Sequence, residues 1–236
     1  MTFQRARSAE QREERRRTIL GTALAMLDEM PVADVSLNEL SRRVGLAKSN
    51  VLRYFESREA VLLELLDQAL RGWLGELADE LAAGVDPDRP AGEREERFAA
   101  VVAHSLARRT VLCDLIGAQA GVLEHNVSAD VVVRFKRSAL AGLDAMAELV
   151  RRYVPEVGDE AASVCLLAMI LTGGLWTHCR PSPSALAAYE VDPALAALHL
   201  DLAPALENGL ALLIAGARKR TDGRRTGEAG PAAVGQ

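Results

Sequence analysis

The sequence predicts an all-α fold, and three observations carry that prediction. Aromatic residues make up only 4% of the 236 positions, while alanine, leucine, arginine and glutamate dominate, a balance that suits amphipathic helices better than sheets. Apolar residues recur at helical spacing over long stretches. The breaks between those stretches are short and fall at proline and glycine.

Ser8 and Gln11 have capping-box spacing, so a first helix can open there and run to Met30, where Pro31 disfavours continuation. Ile19, Leu20, Ala23, Leu24 and Leu27 form its inner face. Ser36 and Glu39 repeat the spacing at the head of a second helix of about two turns, which points Leu37, Leu40 and Val44 inward and stops at Gly45. A third helix covers Ala47 to Tyr54. Ser57 can cap a fourth, with Glu59 favourably placed for its dipole.

The fourth helix is long, because Val61, Leu62, Leu65, Leu66, Ala69, Leu70, Trp73, Leu74, Leu77 and Leu81 hold helical spacing up to Gly84. A loop follows from Val85 to Gly92. Further helices are expected over 93–108, 110–124 and 128–153, the last burying Val132, Phe135, Ala139, Leu143, Met146, Val150 and Tyr153. Asp159 to Cys179 and Leu206 to Ala217 are apolar nearly all round and need cover on several sides. The proline-containing stretch Pro181 to Pro204 should hold only short helical pieces, and Thr221 to Gln236 is expected to be disordered. The predicted domains are residues 8–56 and 57–220, with a tail over 221–236.

The net charge is −5, which disfavours nucleic-acid binding if the charge is spread evenly. It is not: residues 1–58 hold eleven Arg and Lys against eight Asp and Glu, and the remainder holds 17 against 25. A basic front end precedes an acidic body. Cys113, Cys165 and Cys179 form no Cys-x-x-Cys pair, which suggests neither a disulfide framework nor a zinc site. The N-terminus lacks a signal-peptide core, and the uncharged run Ala161 to Thr177 is shorter than the roughly 20 residues of a membrane span. The expectation is a soluble, cytoplasmic protein that makes no membrane contact. No His-Glu-x-x-His, Glu-x-x-His, phosphate-binding Gly-rich loop or nucleophile elbow is present. An enzyme is therefore not expected, and no catalytic residue, metal ligand or cofactor is assigned.

Two short helices that cross closely need a small residue on the first, a glycine at the turn and an apolar anchor on the second. Ser41, Gly45 and Val51 meet those needs, with Gly45 four positions after Ser41 and Val51 six after Gly45. The pattern reads as a helix-turn-helix. Its second helix would place Lys48, Ser49 and Asn50 nearest the bases of a major groove, with Arg53 one turn later. Asn50 suits adenine; Lys48 and Arg53 suit either guanine or a phosphate. Arg5 and Arg7 could reach a minor groove as a basic arm, whereas Arg12, Arg15, Arg16 and Arg17 sit among Glu10, Glu13 and Glu14, so that most of them read as a solvated face with salt bridges at helical spacing.

Over residues 8–66 the sequence resembles the TetR family of one-component regulators. Thr18-Ile19-Leu20 with Ala23, Leu40-Ser41-Arg42-Arg43-Val44-Gly45-Leu46, Arg53-Tyr54-Phe55 and Ser57-Arg58-Glu59-Ala60-Val61-Leu62 carry the resemblance. It implies a three-helix DNA-binding domain joined through the long fourth helix to a helical ligand-binding and dimerisation domain. It also implies backbone contacts from Ser36, Asn38, Tyr54 and Arg58. The family commonly has tyrosine just after the apolar anchor; here Leu52 stands there, so either a phosphate contact is lost or Leu52 packs on sugar or a thymine methyl.

Two-fold dimers gain specificity by placing two such helices on a palindromic site. The candidate interface stripes are Ala161, Cys165, Ala168, Met169 and Thr172, with Leu206, Leu210, Leu213 and Ala217. The resemblance implies that such a pair of helices forms a four-helix bundle with its symmetry mate. Polar groups on otherwise apolar helices mark a candidate pocket for a small-molecule effector: His104, Gln119, His125, Trp176 and His178. The expected partners are double-stranded operator DNA, an effector and a second copy of the chain, and the expected role is a ligand-responsive repressor. An activator and a ligand-independent dimeric DNA-binding protein are the alternatives.

Overall fold

Pro31, Gly45, the Pro87–Pro90 stretch and Pro155 divide the apolar pattern into segments, and each segment is helical. The computed structural model describes residues 2–228, with side chains over 9–224. Among the described residues there are ten α-helices and no strand: α1 Thr2–Glu29, α2 Leu37–Val44, α3 Lys48–Val51, α4 Arg58–Gly84, α5 Ala91–Ala107, α6 Thr110–Ala118, α7 Ala129–Tyr153, α8 Ala161–His178, α9 Pro183–Val191 and α10 Leu202–Glu228. Short 3-10 turns occur at Val32–Asp34, Pro155–Glu160 and Pro193–Leu198, and α6 runs on into a π turn over Gln119–Leu123.

The elements follow the expected order, with differences at their ends. Helix α1 begins at Thr2, so the Ser8–Gln11 spacing falls inside the helix and opens nothing. Arg5 and Arg7 therefore sit on helical backbone and not in an extended arm; their side chains lie outside the described residues. The helix expected over 110–124 changes to π geometry at Gln119, and the chain leaves through Asn126 at φ 51°, a conformation that asparagine tolerates. Helix α10 continues to Glu228, so the tail expected to be disordered from Thr221 is helical that far; residues 229–236 lie outside the described residues.

The chain forms two compact units, and their boundary also differs from the expected one after residue 56. The first holds the residues up to Leu70 together with Val111–Ala139; the second holds Arg71–Thr110 and the residues from Leu140 onward. Apolar side chains alone cannot place that division, because the spacing within α4 and α7 is unbroken across it.

In the first unit Ile19, Ala23, Met26, Leu40, Val51, Leu62 and Leu66 are fully or almost fully buried. Loop backbone is satisfied by carboxylates: Asp114 Oδ2 accepts from Val32 N at 2.6 Å, and Glu56 accepts from Ser128 N at the head of α7.

In the second unit Trp73 is 2% exposed and its indole donates to the buried Ser105 Oγ at 3.0 Å. Arg109 donates to the same hydroxyl at 2.8 Å and to Glu80 at 2.9 Å, so this buried polar cluster is hydrogen-bonded, as stability requires. Helices α8 and α10 approach closely at Gly209, where an added Cβ would lie 2.6 Å from Leu171 Cδ2.

That packing also covers most of the expected interface stripes. Ala161, Cys165, Ala168 and Thr172, with Leu206, Leu210 and Ala217, are buried within this unit, while Met169 and Leu213 are half-buried. A side chain already covered by its own chain has little surface left for a partner. The outward apolar residues of the same helices are Leu166, Leu167, Ile170 and Leu212, which are 43–67% exposed.

The stretch Pro155–His178 is long and apolar enough, by length and composition only, to cross a bilayer. Gly158 interrupts it with a non-helical φ of 57°, leaving the continuous helix at Ala161–His178.

Candidate nucleic-acid interface

Local chemistry builds the helix-turn-helix. Ser36 Oγ accepts from Glu39 N at 3.2 Å and starts α2. Gly45 ends it in the left-handed conformation at φ 73°, where glycine carries no Cβ penalty. Leu46 N then donates to Ser41 O at 3.0 Å, completing the cap. Ser41 is buried and its hydroxyl donates to Asn38 O at 2.9 Å, so the residue at the helix crossing is small and satisfied. Val51 is completely buried beneath α3.

Regular α-helix in α3 is limited to Lys48–Val51, shorter than the expected span to Tyr54. Turns continue it: Tyr54 N donates to Val51 O at 2.9 Å, and Phe55 N donates to the same carbonyl at 3.1 Å. With Val51 inward, Lys48, Ser49, Asn50, Leu52 and Arg53 are exposed and Tyr54 is half-buried. Among the described residues no hydrogen bond or ion pair engages the side chains of Lys48, Ser49 or Asn50. The expected base-reading set thus lies together on one solvent-facing surface. Leu52 is 40% exposed there, an apolar side chain in a polar patch.

The expected backbone-contact set is divided. Ser36 and Asn38 are exposed on the first turn of α2. Arg58 is instead engaged inside the first unit: its Nη1 donates to Val35 O at 2.9 Å and its Nε lies 3.2 Å from Glu59 Oε1. A guanidinium held this way ties the start of α4 to the chain ahead of α2. Arg42 and Arg43 are also paired locally, both with Glu39, at 2.6 and 2.8 Å, and Arg43 with Glu29 as well, at 2.8 Å. Hydrogen bonds from Arg42 and then Arg43 hold the Glu39 carboxyl down to a pKa of about 2.

One arginine assigned to a solvated face has a different place. Arg16 Nη1 donates to Tyr54 O at 2.7 Å, its Nη2 pairs with Glu64 of α4, and its Cζ lies 4.2 Å from the Phe55 ring centroid. Arg12 Nη2 adds a bond to Arg53 O at 3.3 Å. A signal for Arg16 exists in the sequence, since it precedes Ile19, Leu20 and Ala23 by three, four and seven positions and so shares the inner stripe of α1. Gln11, Arg12, Glu14, Arg15, Thr18, Arg53 and Tyr54 line an open polar groove beside this clamp.

The effector markers are divided between the two units. In the second unit His104 is exposed, with Nε2 3.7 Å from Glu207 Oε2, and His178 is exposed. Trp176 is buried there, with Arg180 stacked 4.8 Å from its ring centroid. In the first unit Gln119 Nε2 donates to Glu124 at 2.9 Å, and His125 is exposed.

Two family profiles cover most of the chain: residues 19–65 match "Bacterial regulatory proteins, tetR family", and residues 67–221 match "Tetracyclin repressor-like, C-terminal domain". The chain belongs to the TetR family. The first of these matches contains the helix-turn-helix just described. Among curated relatives, it is 40% identical over 58 residues to the HTH-type transcriptional regulator EthR of Mycobacterium tuberculosis, covering 25% of this chain and 27% of the relative. The EthR of Mycolicibacterium smegmatis is 34% identical over 59 residues, with the same coverage. The likeness thus spans about a quarter of those relatives' length.

Solved structures extend the likeness in fold to the body of this TetR-family chain. A TetR transcriptional regulator from Rhodococcus sp. RHA1 aligns with TM-score 0.52 at 15% identity, over 87% of this chain and 95% of that one. The fatty acid degradation regulator FadR from Bacillus halodurans aligns with TM-score 0.50 at 12% identity, over 84% and 97%.

Proposed function

We propose that this TetR-family protein is a cytoplasmic, ligand-responsive repressor that binds a palindromic operator as a homodimer. The observation that carries the reading is the exposed set Lys48, Ser49, Asn50 and Arg53 held over a buried Val51. One such short surface reads few base pairs, and two-fold pairing doubles it. The outward apolar faces of α8 and α10 supply a surface for that pairing. Asn50 reads adenine, Lys48 and Arg53 contact guanine or phosphate, and Ser36, Asn38, Ser49 and Tyr54 complete the contact set.

Helix α4 carries residues of both compact units within one helix, so a change of body conformation can reach the DNA-binding end through it. An effector that prefers the non-binding conformation releases the operator, and the operator weakens effector binding by the same factor. Light scattering at micromolar concentration tests the assembly: a dimer is expected, and a monomer overturns it.

A second reading, a dimeric regulator that needs no ligand, is favoured by one observation. His104, His125 and His178 are all exposed. Thermal-shift measurements with small apolar metabolites and drugs separate the two: a stabilising ligand that also lowers operator affinity supports the first, and none across the set supports the second.

A further inference from the structure

Arg12, Arg15, Arg16 and Arg17 read alike in the sequence, but the fold separates them. Arg17 pairs with Glu14 at 3.2 Å, both side chains well exposed, as an ordinary surface pair. Arg16 is engaged by Tyr54 O, Glu64 and the Phe55 ring. Arg12 and Arg15 remain exposed, and both line the open groove that α1 shares with Arg53 and Tyr54. Among the described residues no ion pair engages Arg12, Arg15 or Arg53. Arg12 donates to a neutral acceptor, Arg53 O at 3.3 Å, which leaves its charge uncompensated. On the helix it stands three and four positions before Arg15 and Arg16, a like-charge arrangement that is destabilising by itself. Glu14 is the one carboxylate lining the groove, and Arg17 already pairs with it. Three guanidinium groups thus border an open space of about 740 Å3 that calls for an anion.

We infer that this groove seats a backbone phosphate of the operator, held by Arg12 and Arg15 of α1 together with Arg53. The inference rests on the contact set proposed above and narrows it: Arg53 holds the backbone, and guanine contact is left to Lys48. Position selects the anion. Arg53 and Tyr54 belong both to the groove and to the segment that follows the exposed Lys48, Ser49 and Asn50, so the groove begins where the reading surface ends. All of these residues lie in the first unit. Guanidinium groups bind phosphate oxygens through charge-assisted, often paired hydrogen bonds. Donors from two separate elements fix the register of the recognition segment on the duplex while carrying no sequence information. The bound phosphate also offsets the repulsion between Arg12 and its neighbours on α1.

The test uses the full chain with two probes, a duplex selected from a random pool and a random-sequence duplex of the same length. Affinity is measured against salt concentration for the wild type, Arg12→Gln/Arg15→Gln, Arg12→Lys/Arg15→Lys and Arg53→Gln. All three positions are exposed, so the melting temperature of the DNA-free protein should be unchanged. The glutamine pair is expected to weaken binding to both duplexes about tenfold at low salt and to lower the salt slope by about one per groove, with base preferences intact. The lysine pair keeps most of the slope, because charge carries it. Arg53→Gln follows the glutamine pair. Wild-type affinity and slope in the glutamine pair overturn the groove, and are what a lipid or an acidic protein as its occupant would give. Loss of preference at one base pair in Arg53→Gln, with the slope unchanged, overturns its place on the phosphate. A wild type that binds neither duplex overturns the DNA-contact reading itself.

Discussion

The guanidinium of Arg16 donates to the backbone carbonyl of Tyr54 at 2.7 Å, so α1 holds the C-terminal end of the recognition segment. The same side chain pairs with Glu64 and covers the Phe55 ring. Arg16→Ala is expected to weaken operator binding about tenfold on all sequences alike, because hydrogen bonds to charged groups contribute about 1.5–3 kcal/mol. Base preference stays as it was. Arg16→Lys restores little, since one ammonium cannot reproduce a planar contact with three partners. Binding titrations on operator variants check this, and wild-type affinity in Arg16→Ala contradicts it.

Asn50 behaves differently, because its side chain is exposed and ungripped. Asn50→Ala should cost about 1–3 kcal/mol on the operator and relax preference at one base position. Arg58→Ala, by contrast, should act on stability through the lost bond to Val35 O, which thermal melting of the DNA-free protein measures. If Arg58→Ala leaves the melting temperature intact and lowers DNA affinity alone, Arg58 is a phosphate contact after all.

Gly45 tests the turn. Its φ of 73° is left-handed, and an added Cβ there meets nothing within 4 Å, so the cost of Gly45→Ala is backbone strain alone. Urea unfolding should show a loss of about 1–2 kcal/mol, with Gly45→Asn losing less because asparagine visits this region more readily. Equal stability of all three proteins would mean the turn adopts another conformation.

Glu39 gives the helix-turn-helix a pH signature. Its carboxyl is held well below the usual carboxylate range, at about 2, by hydrogen bonds from Arg42 and Arg43. A lowered folded-state value means its contribution is fully present above about 4.5 and is lost as pH falls through about 2. Carboxyl chemical shifts of Glu39 followed through an acid titration should show a midpoint near the lower value. A midpoint near 4.5 would show that the Arg42 and Arg43 contacts do not persist in solution.

The three cysteines should separate by reactivity. Burial pushes the thiols of Cys113 and Cys165 up to about 12, and Cys179 is raised but only half-buried. A thiol reagent at mild alkaline pH should label Cys179 first and reach the other two only on unfolding. Simultaneous labelling of all three would contradict the packing of α6 and α8.

Local chemistry made the DNA-facing half readable from sequence. The Ser36 cap, the Gly45 turn and the Val51 anchor each act within a few residues, and all three stand where their types require. The apolar helices were less readable. In α8 Ala168 and Ile170 are both compatible with a buried face, but the structure covers the first and leaves the second 63% exposed. Periodicity cannot choose a side when every side is apolar. Long-range pairs were invisible for a related reason: Arg58 meets Val35, and His104 meets Glu207, through folding that no spacing records.

Selection of bound duplexes from a random DNA pool with the full-length protein tests the central claim most directly. Enrichment of a palindromic motif, with one of its base preferences lost in Asn50→Ala, is the predicted result. Recovery of no motif under low-salt conditions, where phosphate contacts are strongest, would contradict operator recognition by the Lys48–Arg53 surface.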